Sequence, residues 1–343
     1  QVIFSLYMKF PFLIISVFVG LSISCDNEPY EWAPPYNATW PCENGMADIY
    51  PCSGYDLMSY LSLQDLTPEG INNGNLAGND SWGWTDPNTN KEYALVGLSS
   101  HAAFVDISNP SLPVLIGVLP TATVNSSWRD IKVYQNHAFI VSEASGHGMQ
   151  VFDLTRLRDV NDAPEIFTAD THFTDFGSAH NIVINEESGY AYVVGANRNG
   201  PFSGGALFIN IQNPTAPIFE GGFGEEGYSH DAQVINYSGP DTDHIGKEIL
   251  VGSNENEIVI ADVTDKANPI TISTVGYSNI GYTHQGWFTE DLNHFIVGDE
   301  LDELNIGTNT RTLIFNFSDL DNPVYDFDYL GSTLALSLIH ISE

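Results

Sequence analysis

Positive charge is scarce in this chain. Ten lysines and arginines face 44 aspartates and glutamates, a formal net charge of −34 over 343 residues. A field of that sign repels phosphate backbones and anionic bilayers, which excludes nucleic-acid binding and electrostatic adhesion to membranes. Cysteine is scarce too: Cys25, Cys42 and Cys52 are all there is. With no histidine pair near them they make a poor zinc site. No helical period is sustained anywhere. No apolar run after the first 25 residues is long enough to span a bilayer. G-x-S-x-G elbows, Walker loops and H-E-x-x-H helices are missing as well, so no recognised catalytic motif points to a reaction. Hydrophobic residues make up 43% and charged residues only 16%. That composition predicts a large core rather than disorder. The length suits two domains or one large repetitive fold.

The amino end reads as an export signal. Met8-Lys9 precedes an apolar run, Phe10 to Ser24, that ends at Cys25. One cation, an apolar stretch and small residues before a cysteine form the layout of a secretory leader. Leu21-Ser22-Ile23-Ser24-Cys25 is similar to a bacterial lipoprotein box, in which Cys25 would be lipidated. An ordinary leader cut near Ser24, or an uncleaved anchor helix, is the alternative. Residues 1–25 are thus expected to be signal and lipobox, and 26–56 a tether. In an exported chain Cys42 and Cys52 are expected to form a disulfide. The expected location is outside the cell, at a bacterial outer membrane or cell surface, with a lipid as the sole membrane attachment.

A repeat of about fifty residues fills the rest. Its core is an apolar strand, then Asp or Asn, another apolar residue and a polar turn usually ending in Asn-Pro. Copies run Ala103 to Pro110, Gln150 to Leu154, Leu207 to Pro214, Ile258 to Val263 and Leu313 to Phe317. Their anchors at 106, 153, 210, 262 and 316 are 47, 57, 52 and 54 residues apart. In the second copy Thr155-Arg156-Leu157-Arg158 replaces the Asn-Pro turn. Ahead of each copy lies a strand ending in Val and a small residue: Val96-Gly97, Val141-Ser142, Val194-Gly195, Val251-Gly252 and Val297-Gly298. Counting the strands on either side, each repeat holds four. Four strands at this period predict an all-β chain, a β-propeller of four-stranded blades with five recognisable repeats over residues 57–333. Leu57 to Leu66 reads as a closing outer strand or a leading strand before the first full repeat. The stretch from Pro323 to Gly331 starts a further repeat, and 334–343 fits no part of the pattern. The natural protein is therefore expected to continue, with a foreign or truncated tail here.

Tyr50-Pro51-Cys52, Asn79 to Asp86, Tyr93 to Gly97, Trp128 to Val133 and His147 to Leu154 carry a resemblance to the choice-of-anchor B family. These are bacterial surface proteins built from LVIVD-type repeats. The resemblance spans roughly Cys42 to Thr333. It implies an exported repeat protein and brings no settled activity with it.

Candidate site residues come from the repeat itself. The first strand of successive blades opens with a polar pair: Arg129-Asp130, His180-Asn181, His230-Asp231 and His284-Gln285, with Ser81-Trp82 at the matching place in the first. In a propeller these strands line the central channel, so the pairs are expected to converge at one mouth. His180, His230 and His284, with Asp130 and Asp231, could hold a divalent ion such as Zn, Mn or Fe. Arg129, Asn181, Gln285, Glu143 and Asp299 are candidates to bind a ligand or support the metal. The same histidines could equally fasten blades. The acidic runs Asp299 to Glu303 and Glu225-Glu226 could take Ca²⁺, but they match no EF-hand spacing and read as solvated faces. Trp82, Trp84, Trp128 and Trp287 are expected to pack between blades. The expected function is a monomeric scaffold for proteins or glycans at the cell surface rather than an enzyme. The alternative is a metal-dependent hydrolase or lactonase.

Overall fold

The computed structural model describes residues 39–71 and 74–331. The leader with Cys25 and the tail 334–343 lie outside the described residues. A small hairpin, β1 (Met46–Ala47) with β2 (Tyr50–Pro51), carries the Cys42–Cys52 disulfide, Cα to Cα 5.8 Å. Five sheets follow. The first uses β3 (Gly78–Thr85), β4 (Glu92–Leu98), β5 (His101–Asp106) and β6 (Val114–Pro120). In the second, β7 (Arg129–Tyr134), β8 (His137–Ser142) and β9 (Met149–Asp153) are followed by β10 (Glu165–Ile166) and β11 (Thr171–Phe173). The third runs β12 (Asn181–Asn185), β13 (Tyr190–Val194), β14 (Ala206–Asn210) and β15 (Ile218–Phe223). The fourth runs β16 (Asp231–Asn236), β17 (Glu248–Ser253), β18 (Ile258–Asp262) and β19 (Ile270–Val275). The fifth runs β20 (Thr283–Phe288), β21 (His294–Asp299), β22 (Arg311–Asn316) and β23 (Val324–Leu330). A one-turn helix, α1 (Asp302–Asn305), sits between β21 and β22.

Each sheet is an antiparallel four-stranded meander in sequence order, apart from β10. That strand leaves the second blade and pairs parallel with β6, covering the outer edge of the first. The inner strands β3, β7, β12, β16 and β20 neighbour one another in succession, and all five line one central cavity. The chain is therefore a β-propeller of four-stranded blades.

The repeated residues have separate physical reasons. At all five anchors the side-chain oxygen accepts the backbone N–H two residues on: Asp106 from Ser108, Asp153 from Thr155, Asn210 from Gln212, Asp262 from Thr264 and Asn316 from Ser318, at 2.9–3.1 Å. This Asx turn suits Asp or Asn and no longer side chain. In the second copy the same bond starts a short 3₁₀ helix, Leu154–Asp159. The helix and β10 lengthen the interval to the next anchor. Arg158 on that helix reaches back to Asp86 of the first blade. The small residue closing each second strand lets the inner strand lie close. A Cβ on Gly97 would meet the Arg129 carbonyl at 3.1 Å, and one on Gly195 would meet His180 Cβ at 2.3 Å.

Apolar layers fill the space between blades. Leu95 and Phe104 face Ile140 and Phe152; Phe139 and Val151 face Val193 and Ile209. Tyr192 and Phe208 then face Leu250 and Val259, and Val251 and Ile260 face Phe295 and Phe315. Each such side chain removed from water contributes about 1.5–3 kcal/mol. The outer face of the first blade is covered by Leu61, Leu63, Leu66, Ile71 and Leu76. The expected leading strand over Leu57 to Leu66 is not a strand. Apart from one bridge between Leu57 and Trp40 it is irregular, with a turn in which Asp65 accepts from Ser62. Its leucines pack on the blade face instead of extending the ladder. On the far face of the fifth blade Trp287, Ile296, Ile314 and Phe327 form one row across the sheet, and Trp287 is 60% exposed. No described residue forms a layer over it.

Gly195→Ala should lower stability by about 1–3 kcal/mol, from a positive φ together with the His180 contact. Gly146→Ala, also at positive φ but facing open space, should cost less in the same urea titration. The Arg158 guanidinium holds the Asp86 carboxyl well below the usual carboxylate range. Its stabilisation is thus present above the unfolded-state value near 4 and is lost as pH falls toward the folded value. Asp86→Asn should flatten the loss of thermal stability below about pH 4 seen in the parent chain.

Candidate functional site

His180 and His230 lie immediately before β12 and β16, and His284 lies within β20. Their backbone positions follow from strand pairing: His180 N–H donates to the Val194 carbonyl and His230 N–H to that of Ser253. All three side chains are buried, and their rings follow one another in a tilted stack, with interplanar angles of 45° and 40°. His180 and His230 are 4.3 Å apart between centroids, and His230 and His284 are 4.6 Å apart. Tyr282 meets His230 edge-on and Trp128 closes the other end against His180.

Carboxylates flank the stack. His180 Nδ1 lies 2.8 Å from Glu143 Oε1. His230 Nδ1 lies 3.1 Å from the His284 carbonyl oxygen. His284 Nε2 lies 3.9 Å from Glu300 Oε2, and Glu300 is held by its own N–H bond to the Tyr282 carbonyl. The potential ligand atoms of His230, His284 and Glu300 all fall within 4.8 Å of one another. A ring whose Nδ1–H is bonded to a carbonyl or carboxylate presents Nε2 as an acceptor, the usual setting of a metal-bound histidine. The donor set suits Zn²⁺, Mn²⁺ or Fe²⁺. Tetrahedral bonds of about 2.1 Å set ligand atoms about 3.4 Å apart, so these atoms would have to draw together by up to about 1.4 Å.

Asp130, Asn181, Asp231 and Gln285 line the central cavity of about 540 Å³ with Asp80 and Lys132. Neighbouring residues on a strand face opposite ways. The pairs that were expected to act together are divided accordingly between the histidine stack and the cavity, into which His284 alone of the three also reaches. Asp130 Oδ1 takes its own strand's Ile131 N–H and Lys132 Nζ, while Oδ2 takes the N–H of Ile182 in the next blade at 2.7 Å. Asp80 does likewise for Ile131 at 3.1 Å, and Gln233 for Phe288 at 2.7 Å. Asp80, not Ser81-Trp82, is therefore the counterpart of Asp130. A bulge between Gly78 and Ser81 shifts the register of β3 on β4 by one residue.

The other candidates take up separate places. Arg129 is fully buried and directed away from the cavity, onto the Leu98 carbonyl and His147 Nε2. Burial and Arg129 push His147 down to about 4. Asp299 accepts from Tyr277, Gly281, Tyr282 and Arg311 and holds that loop. Trp84 packs between blades as expected, but Trp82 and Trp287 are exposed on the cavity, with Lys132 over the Trp82 ring at 4.5 Å. Asp80 was not among the expected site residues, and Glu300 was expected only as part of the acidic run Asp299 to Glu303. The spacing of 50 from Asp80 to Asp130 was a usable signal for the first; nothing local linked the second to His284.

The cavity carboxylates repel one another. Burial and Asp130 push Asp80 up to about 8. Asp130 stays low despite its burial because Lys132 faces it. Burial pushes Asp231 up to about 6.

Architecture and axis together define a propeller with a buried row of three histidines beside its inner strands. Within it residues 92–121, the outer three strands of the first blade, match the family model for the LVIVD repeat. No curated protein matches the chain. A Bacteroides fragilis protein provisionally assigned as a 6-phosphogluconolactonase has a similar structure: TM-score 0.50, 12% identity, 73% of this chain and 70% of that one. A Bacteroides uniformis protein with the same provisional assignment gives 0.49, at 13% identity over 75% and 71%. The extracellular domain of a provisionally assigned one-component system from B. thetaiotaomicron gives 0.44, at 14% over 72% and 29%. At these identities the likeness concerns the fold alone.

An aspartate whose folded value is raised binds its proton more tightly in the native state, so stability falls as pH rises from about 4 toward 8. Asp80→Asn removes that ionisation. The variant should gain thermal stability relative to the parent chain as pH is raised from 5 to 9, the reverse of the usual effect of deleting a charge partner. Melting curves across that range check it.

Proposed function

We propose that the protein acts outside the cell as an envelope-attached propeller of the choice-of-anchor B kind, a scaffold that binds protein or glycan partners. The observation that carries this reading is how the axis is built. Asp80, Asp130 and Gln233 direct side-chain oxygens at the backbone N–H groups of the following blade, so inner-strand polar residues hold blades together. The Cys42–Cys52 disulfide fits an oxidising compartment. The apolar leader and lipobox supply the route and the lipid anchor through Cys25.

A second reading, a metal-dependent hydrolase or lactonase, is favoured by one observation: the close approach of His230, His284 and Glu300. A metal bound there would polarise a carbonyl and lower the pKa of a bound water. The chain's own contribution would be to fix His230 through the His284 carbonyl and to hold Glu300 beside His284.

Zinc, manganese and iron analysis of purified protein separates the two. The scaffold reading expects less than stoichiometric transition metal and an unchanged melting temperature in 1,10-phenanthroline. One equivalent of metal, lost in His230→Ala together with lactone or ester hydrolysis, would establish the second reading instead.

A further inference from the structure

The acidic run after β21 is not a solvated face. Asp299 and Asp302 are fully buried and Glu303 is 4% exposed. Buried carboxylates need partners, because an unpaired ionised group out of water is strongly disfavoured. Asp299 has its partners. Asp302 has one, since its Oδ2 accepts from Arg311 Nε at 2.6 Å. The remaining Arg311 donors go largely to the Ser278 and Asn279 carbonyls. Asp302 Oδ1 and both carboxylate oxygens of Glu303 are buried with no hydrogen-bond partner, as are the hydroxyls of Thr308 and Thr310.

That set is distinctive in kind and in place. Of ten buried side-chain atoms without a hydrogen-bond partner among the described residues, five lie within 302–310, and all five are oxygens. The other five are scattered over the preceding blades and include a guanidinium nitrogen. Charge points the same way. Burial and the adjacent Glu303 carboxyl push Asp302 up to about 6. With Asp299, Asp302 and Glu303 all ionised, three negative charges face one positive on Arg311, an imbalance that one divalent cation would cancel. Oxygen-only donors from carboxylates and hydroxyls are what a hard cation takes, and Ca²⁺ accepts six to eight of them in irregular geometry.

We propose that the segment from α1 to the start of β22 holds a calcium ion through Asp302 and Glu303. The ion supplies the counter-charge that Arg311 alone does not, and it ties the loop to the last blade. This proposal is independent of the histidine stack, whose imidazoles suit softer metals.

The test is calorimetric titration of calcium chloride into the full chain after divalent ions have been removed, with melting curves alongside. One equivalent should bind, and calcium at about a hundredfold excess over Kd should raise the melting temperature by about 3–8 °C. Glu303→Gln should weaken binding about tenfold or more, while His230→Ala should bind as the parent does. No heat and no thermal shift in the parent chain would overturn the proposal, whether or not Glu303→Gln folds. So would parental affinity in Glu303→Gln, or loss of the calcium response in His230→Ala.

Discussion

A four-stranded sheet made of alternating apolar residues has two faces to keep dry and one layer with which to do it. Radial stacking solves this by making each face the cover of the next, and the rest of the structure depends on that contact. It explains why small residues end the second strands: Gly97 and Gly195 sit where the neighbouring backbone must come within about 3–3.5 Å of a would-be Cβ. It also explains why the leading segment contributes leucines rather than a strand. What the first blade required on its outer face was apolar area, and its sheet edge was already served by β10.

The same stacking sets the electrostatics. Inner strands crowd polar side chains at the axis of a strongly acidic chain, where water is partly excluded. Three solutions coexist there. Asp130 keeps its charge because Lys132 and the Ile182 N–H receive it. Asp80, with Asp130 beside it, keeps a proton instead. His180 and His230 place Nδ1 against a carboxylate and a carbonyl. In each case the group is stabilised by something from another blade or strand, so axial chemistry and inter-blade cohesion are coupled. A substitution chosen to probe binding will also report on how firmly two blades hold together.

Much of the fold was legible because it is periodic. Asp or Asn at 106, 153, 210, 262 and 316 marks a turn whose local bond requires that residue type. The spacings of 50 and 54 residues between His180, His230 and His284 carried their convergence directly. What was not legible came from three-dimensional displacement of neighbours. The first polar pair is Asn79-Asp80, beside a bulge in β3, and not Ser81-Trp82. Strand alternation parted His230 from Asp231. Arg129 turned into the first inter-blade layer, toward His147. An acidic run that reads as solvent-facing was folded under the last blade beside Arg311.

Sequence by itself determined the strand pattern, the turn positions, the number of recognisable blades and the residues that recur at the axis. These depend on short-range bonding and on periodicity, which a linear chain records. Tertiary structure decided which side of each inner strand a polar residue faces, that Glu300 stands beside His284, and that Asp302 and Glu303 are buried. Those outcomes depend on register and on the approach of segments far apart in the chain, where packing overrides what a residue's own polarity would choose.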